Sequence, residues 1–364
     1  MSSEPPPAAP PTSLPACPLP ISATDRVLLG HGSGGKLTAE LIERLIVPAF
    51  ANPALAALDD QAILPITEGA PGAPRLAFTT DSYVVSPLFF PGGDIGELAV
   101  HGTINDLAMG GARPLALSLA FILEEGLPLA TLARVIESVR RAAARAGVPI
   151  VTGDTKVVGR GAADQLFMNT SGVGLVPAGR VLGSARVRPG DAILVSGPIG
   201  DHGVAIMLQR AGLDLGGDVA SDTAALHTLA AALLEAAPET HAMRDPTRGG
   251  VAATVVEIAT RRAVGVELDE RAIPIREPVR GACELLGLDP LLVANEGKLV
   301  AFVPDAGGAA DRALAALRAH PLGAHAARIG TVTGAHPGVV ELITPVGGRR
   351  RLDLPFAEPL PRIC

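Results

Sequence analysis

The chain ends on a cysteine, and a thiol at a free end has the chemistry to carry a group. Cys364 bears both this thiol and the terminal carboxylate, and four prolines lie between residues 345 and 361. Proline-rich chain is extended and semi-rigid, so residues 345–364 would reach about 60 Å when fully stretched. The residues alone predict either a swinging arm for an acyl-type group or a frayed end that happens to be cysteine.

A second set of reactive side chains consists of acids at the ends of predicted strands and in glycine-rich loops. The set is Asp59, Asp60, Asp81, Asp106, Asp154 and Asp245. Mg²⁺ prefers oxygen ligands and commonly sits between one or two carboxylates and the phosphates of a substrate. Taken singly, each Asp is also a common cap or turn residue. Together the acids predict a magnesium–phosphate site, on the condition that the fold brings them together.

Residues 30–36, with the sequence GHGSGGK, match two phosphate-binding patterns by letter. They fit the dinucleotide fingerprint and most of a P-loop, but Leu37 stands where a P-loop needs a hydroxyl for Mg²⁺. Exposed backbone N–H groups that open a helix still favour anions. Phosphate contact is therefore expected at Gly32, Gly34, Gly35 and Lys36, with a plain tight turn as the alternative.

The positions of these side chains depend on strands and helices, which apolar periodicity predicts in alternation. Predicted strands cover 26–29, 76–81, 114–123, 149–151, 166–176, 191–196, 264–268 and 299–303; predicted helices cover 37–46, 94–109, 129–146, 201–211, 222–236 and 251–261. This alternation predicts two α/β or α+β domains. We place a disordered segment at 1–24, an N-terminal domain at 25–180, a C-terminal domain at 181–345 and a flexible tail at 346–364.

Composition and charge exclude several classes of protein. The formal charge of −7 argues against a nucleic-acid binder, and no apolar run approaches the length of a membrane span. Cys17, Cys283 and Cys364 lie far apart without a CxxC pair, which argues against a zinc knuckle or a disulfide framework. The start of the chain lacks the features of a signal peptide. We expect a cytoplasmic protein with reduced thiols.

Several motifs together resemble a known superfamily. TDS at 80–82, NDLAMGGA at 105–112, GDTK at 153–156 and DPTRGG at 245–250 resemble the ATP-binding superfamily of aminoimidazole ribonucleotide synthetase, selenophosphate synthetase and thiamine-phosphate kinase. Within it, residues 30–36, NEGK at 295–298 and PRIC at 361–364 resemble the HypE family, the carbamoyl dehydratases of nickel–iron hydrogenase maturation. The resemblance spans about residues 26–364, with the motifs in family order.

This resemblance implies a fold and a reaction. The fold is the two-domain PurM-like α+β (α/β) fold, with an N-terminal mixed sheet that pairs in a homodimer and a C-terminal α/β sandwich. The terminal cysteine would receive a carbamoyl group from a HypF-like carbamoyltransferase. The enzyme would then use ATP to dehydrate the thiocarbamate to a thiocyanate. Cyanide would pass to iron held by HypC- and HypD-like maturation proteins.

The resemblance also implies roles for single residues. Lys156 and Glu296 match the family pair that handles protons near the carbamoyl group, and Glu296 as base is the simpler assignment. The alternatives are a solvated or phosphate-facing lysine at 156 and a turn residue paired with Lys298 at 296. Mg²⁺ and ATP would be held by Asp60, Asp81, Asp106 and Asp245, while Asp154 either joins them or orients the loop that carries Lys156.

The implied chemistry is consistent on its own terms. Direct loss of the amide oxygen would expel hydroxide, whose parent acid has a pKa of about 15.7. Phosphorylation makes phosphate the leaving group, with a second pKa of about 6. Three other functions stay open: another ATP-dependent kinase or ligase with a free small-molecule substrate, a non-catalytic thiol carrier, and a dinucleotide-dependent oxidoreductase. Whether Cys364 reaches its own subunit's nucleotide, and what Cys17 and Cys283 do, also stay open.

Overall fold

The computed structural model describes residues 26–32, 34–66, 73–213, 219–354, 360 and 362–364. The helices are α1 Lys36–Leu41, α2 Val47–Ala49, α3 Ile95–Met109, α4 Leu129–Ala146, α5 Asp201–Ala211, α6 His227–Ala236, α7 Gly250–Arg262, α8 Glu277–Leu286 and α9 Ala309–Ala319. The strands are β1 Ala62–Pro65, β2 Arg75–Tyr83, β3 Phe89–Phe90, β4 Gly93–Asp94, β5 Arg113–Glu124, β6 Ile150–Val158, β7 Leu166–Val176, β8 Asp191–Val195, β9 Ala242–Arg244, β10 Gly265–Asp269, β11 Val300–Pro304, β12 Ala327–Thr333, β13 Val340–Ile343 and β14 Arg349–Leu352. The segment predicted to be disordered, with Cys17, lies outside the described residues.

The first sheet has five strands in the order β1-β2-β7-β5-β6. Only β5 and β6 are parallel neighbours in this sheet, so it is mixed, as predicted. Burial alternates residue by residue along β7, because successive side chains of a strand point to opposite faces. One face packs against α3, while side chains on the other face, such as Phe78 and Ile122, stay exposed. The described chain thus leaves one face of this sheet uncovered.

Helix α3 is buried on nearly all sides, because it lies between the first sheet and the second domain. The Asp94 carboxylate caps its start by accepting hydrogen bonds from the N–H groups of Gly96, at 2.8 Å, and Glu97, at 3.1 Å. The helix ends before Gly111, whose φ of +69° favours glycine. The helix predicted at 94–109 is therefore confirmed, and its last turn carries Asp106 to the seam between the domains.

The second sheet has seven strands in the order β14-β13-β10-β12-β8-β11-β9. Strand β8 is buried on both faces: Ile193 and Val195 pack in the core with α7, whereas Ala192 and Leu194 pack in the core with α6 and α9. Helices on both sides make this domain the predicted α/β sandwich. The strands predicted at 191–196, 264–268 and 299–303 are confirmed to within one residue at each end.

The structure differs from the sequence predictions in three places that bear on function. Residues 26–29 form no strand, and a single 3-10 turn covers Leu29–Gly32 instead. The strand predicted at 149–151 continues to Val158, so residues 152–156 are strand rather than loop. Strand β14 lies inside the predicted tail and pairs with β13. By sequence, the three arginines of this strand favour a solvent-exposed segment. In the structure ion pairs fix them, such as that of Arg349 with Glu267 at 2.8 Å.

Candidate active site

A cavity of about 450 Å³ opens at the seam between the two domains, within the size range of small-molecule sites. Its acidic lining residues come from separate parts of the chain, and they are Asp59, Asp60, Asp81, Asp106, Asp245, Glu43, Glu257 and Glu296. Asp81 lies on β2, Asp106 in the last turn of α3, and Asp245 directly after β9. The four acids predicted to hold Mg²⁺ and ATP therefore share one cavity with the predicted base Glu296.

The cavity acids are crowded and desolvated, and this shifts their protonation. Burial raises the pKa of Asp60, Asp81, Asp106 and Glu296, and raises that of Asp245 to about 6. The neighbouring carboxylates raise the pKa of Asp106 and Glu296 further. The Arg244 guanidinium, with Nε 2.6 Å from Asp60 Oδ1, acts in the opposite direction on Asp60. Negative charge in this cavity is thus costly, and a cation would relieve it.

The donor set fits a magnesium ion that is shared with phosphate. Asp60 Oδ2 and Glu296 Oε1 are buried and accept no hydrogen bond from any described residue. Across the described ranges, no three His, Cys, Asp or Glu side chains are grouped closely enough to hold a metal ion. Mg²⁺ usually keeps only one or two carboxylates and takes its remaining oxygens from phosphate and water. The cavity supplies such carboxylates and leaves room for the rest.

Two buried asparagines tie the loops of the cavity together. Asn105 on α3 donates to the carbonyl oxygen of Ala224 at 3.0 Å and accepts from the Leu226 N–H at 2.7 Å. Asn295 donates to the Pro246 carbonyl oxygen at 2.9 Å and accepts from the Gly200 N–H at 2.8 Å. A buried amide stays favourable only when it is hydrogen-bonded, so these side chains fix the loops that carry Asp245 and Glu296.

Sequence reasoning missed Asp222, which holds Glu296 in place. Its carboxylate accepts from the Glu296 N–H at 3.0 Å and pairs with Lys298 Nζ at 2.9 Å. Although burial raises the pKa of Asp222, Lys298 and the Glu296 N–H lower it overall. Lys298 therefore pairs with Asp222, and the alternative of a Glu296–Lys298 turn pair is wrong. Residue 222 belongs to no recognised motif, so only the fold reveals its role.

The glycine-rich segment borders the same cavity but is not a P-loop. Gly34 and Thr38 line the cavity, and Thr38 Oγ1 accepts from the Gly34 N–H at 2.9 Å. Gly34 has a φ of +81°, and a Cβ there would lie 2.9 Å from Arg248 Cβ. Lys36 is exposed and does not line the cavity, nor do Gly32 and Gly35. The close approach to Arg248 explains the glycine at position 34.

The terminal cysteine lies in this cavity. Cys364 is among the lining residues, together with Asp81, Asp245 and Glu296. An oxygen of its terminal carboxylate accepts a hydrogen bond from the Val84 N–H at 3.0 Å, and the preceding Ile363 is fully buried. The chain therefore places its own terminal residue at its own acids, which favours the arm over the frayed end.

Asp154 and Lys156 lie elsewhere. Both are exposed on the edge strand β6, where Lys156 Nζ pairs with an Asp154 oxygen at 2.9 Å. Through Ala120 and Asn169, Asp154 is in register with Ser82 on β2, three strands and about 14 Å away. Both side chains share the uncovered face of the sheet, whereas Asp81 lies on the opposite face. Neither residue lines the cavity. Lys156 therefore does not meet Glu296, its predicted partner in proton handling, within one chain.

Two histidines and a cysteine outside the cavity have structural explanations. His101 is buried in α3, where Nδ1 lies 3.0 Å from Thr223 Oγ1, and burial lowers its pKa to about 4. His31 Nδ1 accepts from the Leu28 N–H at 2.9 Å in a local turn. Cys283 is buried in the core on α8, and burial raises the pKa of its thiol to about 11. Each of these side chains is a packing or turn residue.

The two domains match the models of a known family. The N-terminal domain of AIR synthase related proteins matches residues 58–176, and the C-terminal domain matches residues 188–343. Thiamine monophosphate kinase from Aquifex aeolicus has the same fold, with a TM-score of 0.62 at 18 % identity over 86 % of this chain and 99 % of that one. The fold and the acidic seam thus define a two-domain AIR synthase-related protein.

More similar relatives narrow the family. Carbamoyl dehydratase HypE from Azotobacter vinelandii is 56 % identical over 92 % of this chain and 96 % of that protein. Its counterpart from Escherichia coli is 52 % identical over 93 % of this chain and its whole length. A crystal structure of HypE in complex with ATP aligns with a TM-score of 0.77, at 50 % identity over 93 % of this chain and all of that one. The chain belongs to the carbamoyl dehydratase HypE family.

One more structure records an assembly of a relative. The crystal structure of a HypE–HypF complex aligns with a TM-score of 0.80 at 43 % identity, over 86 % of this chain and 99 % of that one. In the described part of this chain, no helix combines the length and apolar character needed to cross a membrane.

Proposed function

We propose that this chain catalyses the ATP-dependent dehydration of an S-carbamoyl group on its own Cys364 to a thiocyanate, the source of cyanide for hydrogenase iron. One observation carries the proposal: Cys364 lines the same cavity as Asp81, Asp245 and Glu296. The relatives named carbamoyl dehydratase and the ATP complex of HypE support it. A substrate attached to this sulfur would therefore meet nucleotide phosphates in a largely buried site.

The reaction balances with phosphate as the carrier of the lost oxygen. The carbamoyl oxygen attacks the γ-phosphorus of ATP, and ADP leaves with the electrons of the broken P–O bond. The C–O bond then breaks in favour of phosphate, while the nitrogen gives up both protons and becomes a nitrile. One thiocarbamate and one ATP thus give one thiocyanate, ADP and phosphate, with no free water released.

The cavity residues divide this work. Asp60, Asp81, Asp106 and Asp245 would hold Mg²⁺–ATP together, with one or two of these carboxylates on a metal ion that neutralises phosphate charge when bound. Glu296 is the base for the nitrogen protons, because it is buried in the cavity with Cys364 and has an oxygen without a hydrogen-bond partner among the described residues. Burial raises its pKa, and this makes its ionised form a stronger base. Asp222 orients Glu296 through its N–H.

Lys156 acts from a second copy of the chain. In its own chain it is exposed on the uncovered face of the first sheet, outside the cavity. A homodimer formed through this face would bury apolar residues such as Phe78 and Ile122, which are now exposed. It would also place Asp154 and Lys156 against the partner subunit. The tail then works within its own chain, and the lysine works across the dimer.

The remaining partners follow from the reaction. A HypF-like carbamoyltransferase loads Cys364, in line with the HypE–HypF complex of the relatives. HypC- and HypD-like proteins that hold iron receive the cyanide, and the cytoplasm, where ATP and reduced thiols coexist, is the compartment.

The direct test starts from carbamoylated protein. Incubation with Mg²⁺–ATP should release one phosphate per chain and lower the mass of the C-terminal peptide by one water. A chain without residues 361–364 should bind ATP normally but release no phosphate in this assay. If the truncated chain still turned over a free small molecule, the enzyme would be a kinase or ligase of the same fold instead.

A further inference from the structure

The last residues of the chain are held by a set of contacts that the reaction itself does not require. Leu360 and Ile363 are each only 1 % exposed and belong to the core that joins the two domains. The Ser86 N–H donates to the Arg362 carbonyl oxygen at 3.4 Å, and the Val84 N–H donates to an oxygen of the Cys364 terminal carboxylate at 3.0 Å. The tail thus lies along the chain that follows β2, and its apolar side chains fill the seam.

A buried histidine from the second domain holds the next carbonyl group. His202 on α5 has no exposed surface, and its Nε2 lies 2.8 Å from the Ile363 carbonyl oxygen. A carbonyl oxygen only accepts, so Nε2 carries the proton and Nδ1 accepts from the Ser221 hydroxyl at 2.8 Å. Burial lowers the pKa of His202, which keeps the ring neutral in this arrangement. Ser221 thereby fixes the tautomer that binds the tail.

An arginine of the second domain also contacts the end of the chain. Arg210 at the end of α5 donates from Nε to the Ser86 carbonyl oxygen at 2.6 Å and from Nη2 to the Arg362 carbonyl oxygen. One guanidinium therefore joins the second domain, the end of the first sheet and the tail. Such charge-assisted hydrogen bonds are stronger than those between neutral groups.

Arg362 is clamped from the other side by the first domain. Its Nη1 pairs with Asp164 Oδ2 at 2.5 Å, its Nε donates to the Val84 carbonyl oxygen at 3.0 Å, and its guanidinium lies over Phe167. The backbone of Arg362 has a φ of +54°, a conformation that non-glycine residues rarely adopt. Unusual backbone of this kind persists only where surrounding contacts hold it.

We propose that His202, Arg210 and Asp164 form a clamp that holds the last residues of the chain with Cys364 at the acidic cavity for dehydration. They are positioning residues, since none of them lines the cavity. The clamp contains residues of both domains and the end of the chain, so it forms only when all three parts are in contact. This inference rests on the proposed function for the dehydration step, but not for the docking of the tail.

The clamp should affect two measurable rates in opposite directions. Asp164→Asn leaves Arg362 without its partner carboxylate and should speed alkylation of Cys364 by iodoacetamide about twofold to fivefold, the usual effect of a part-exposed ion pair. His202→Phe and Arg210→Gln remove more buried contacts and should speed it about tenfold or more. Dehydration of the carbamoylated variants under single-turnover conditions should slow by similar factors, while ATP affinity stays unchanged.

Matched controls make the test specific. Asp305 pairs with Arg328 and is about as exposed as Asp164, 45 % against 43 %, but it does not touch the tail. Asp305→Asn should change neither rate, and Asp164→Glu should restore part of the alkylation protection. Peptide mass spectrometry confines the alkylation readout to the C-terminal peptide.

The outcomes separate the clamp from the proposed function. If the variants dehydrate more slowly but Cys364 is alkylated at the parental rate, the clamp is wrong and these residues act in some other way. Unchanged values of both rates would also overturn it. If carbamoylated parent protein failed to dehydrate at all, the proposed function would fall, whereas faster alkylation of the variants would still support the clamp.

Discussion

The acidic cavity and the uncovered face of the first sheet hold parts of one predicted site but have opposite character. In the cavity, Asp60 and Glu296 are buried with unpartnered oxygens, and their pKa values are raised by burial. On the sheet face, Asp154 and Lys156 are exposed and satisfy each other, and the hydrogen bond from Lys156 lowers the pKa of Asp154. In our proposal a cation completes the cavity, whereas a second copy of the chain completes the sheet face.

In our proposal this contrast means that one chain supplies only part of the chemistry. Buried amides such as those of Asn105 and Asn295 fix the loops of the cavity by hydrogen bonds. The acids therefore cannot move apart to relieve their charge repulsion. Lys156 has an exposed ion pair with Asp154 instead, and in our proposal it exchanges this partner when a second copy covers the face. The four predictions below test this division, from the largest expected effect to the smallest.

Removal of the base should have the largest effect. Glu296→Gln keeps the shape of the side chain but removes the proton acceptor, so dehydration should slow about 10²–10⁴-fold. Carbamoyl loading of Cys364 and ATP binding should be unaffected. Glu257→Gln is the matched control, because Glu257 lines the same cavity near Arg244 without approaching the nitrogen in our proposal. Dehydration at the parental rate in Glu296→Gln would transfer the base role to another group.

Mixed dimers sharpen the comparison further. Lys156→Met alone should slow dehydration strongly, and Cys364→Ala should abolish it, because alanine has no sulfur to carry the carbamoyl group. A dimer of one chain of each kind should recover about half of the parental rate if the lysine acts across the interface, since one of its two sites is then complete. Single-turnover phosphate release from purified mixed dimers measures this. Absence of recovery, despite intact dimers, would place Lys156 in the same site as its own Cys364.

The raised pKa of Asp245 should make the stability of the metal-free protein depend on pH. Its folded pKa of about 6 exceeds the ordinary value of 3.8, so the protonated form is favoured in the folded state. Its contribution is fully present below about pH 4 and is lost as the pH rises through about 6, for a change of about 2–3 kcal/mol. Urea unfolding of the parent and of Asp245→Asn between pH 4.5 and 7.5 measures this.

Asp245→Asn should remove that part of the slope, and Mg²⁺–ATP should reduce it in the parent by stabilising the ionised carboxylate. Identical slopes in the parent and in the variant would show that Asp245 is not destabilised by its surroundings.

The smallest effect is expected on the sheet face. Asp154→Asn breaks an exposed ion pair with Lys156, and such pairs contribute little to stability. The thermal midpoint of the variant should equal that of the parent within error in dilute protein, where monomers dominate. At high protein concentration the change should weaken dimers, as sedimentation velocity would detect. A large loss of stability in the monomer would show that this pair has a structural role within one chain.

Local sequence signals predicted most of the first domain and parts of the second. The cap at Asp94, the double glycine after Met109 and the apolar runs of β5, β7 and β8 each specify an element through short-range chemistry. The signals failed where tertiary contacts compensate for unfavourable composition. Strand β14 is three arginines and a leucine, and it became a strand because β13 and several carboxylates pair with it.

The sequence by itself determined which residue types are available: the acids, the glycine at 34, Glu296 and the terminal Cys364, each in a recognisable local pattern. Only the tertiary structure decided which of them meet. It gathered four aspartates and Glu296 with the tail, recruited Asp222, His202 and Arg210 from outside any motif, and left Lys156 on another face. The physical reason is that motif chemistry is local, whereas burial, charge repulsion and hydrogen bonds to the tail act between residues that are distant in sequence.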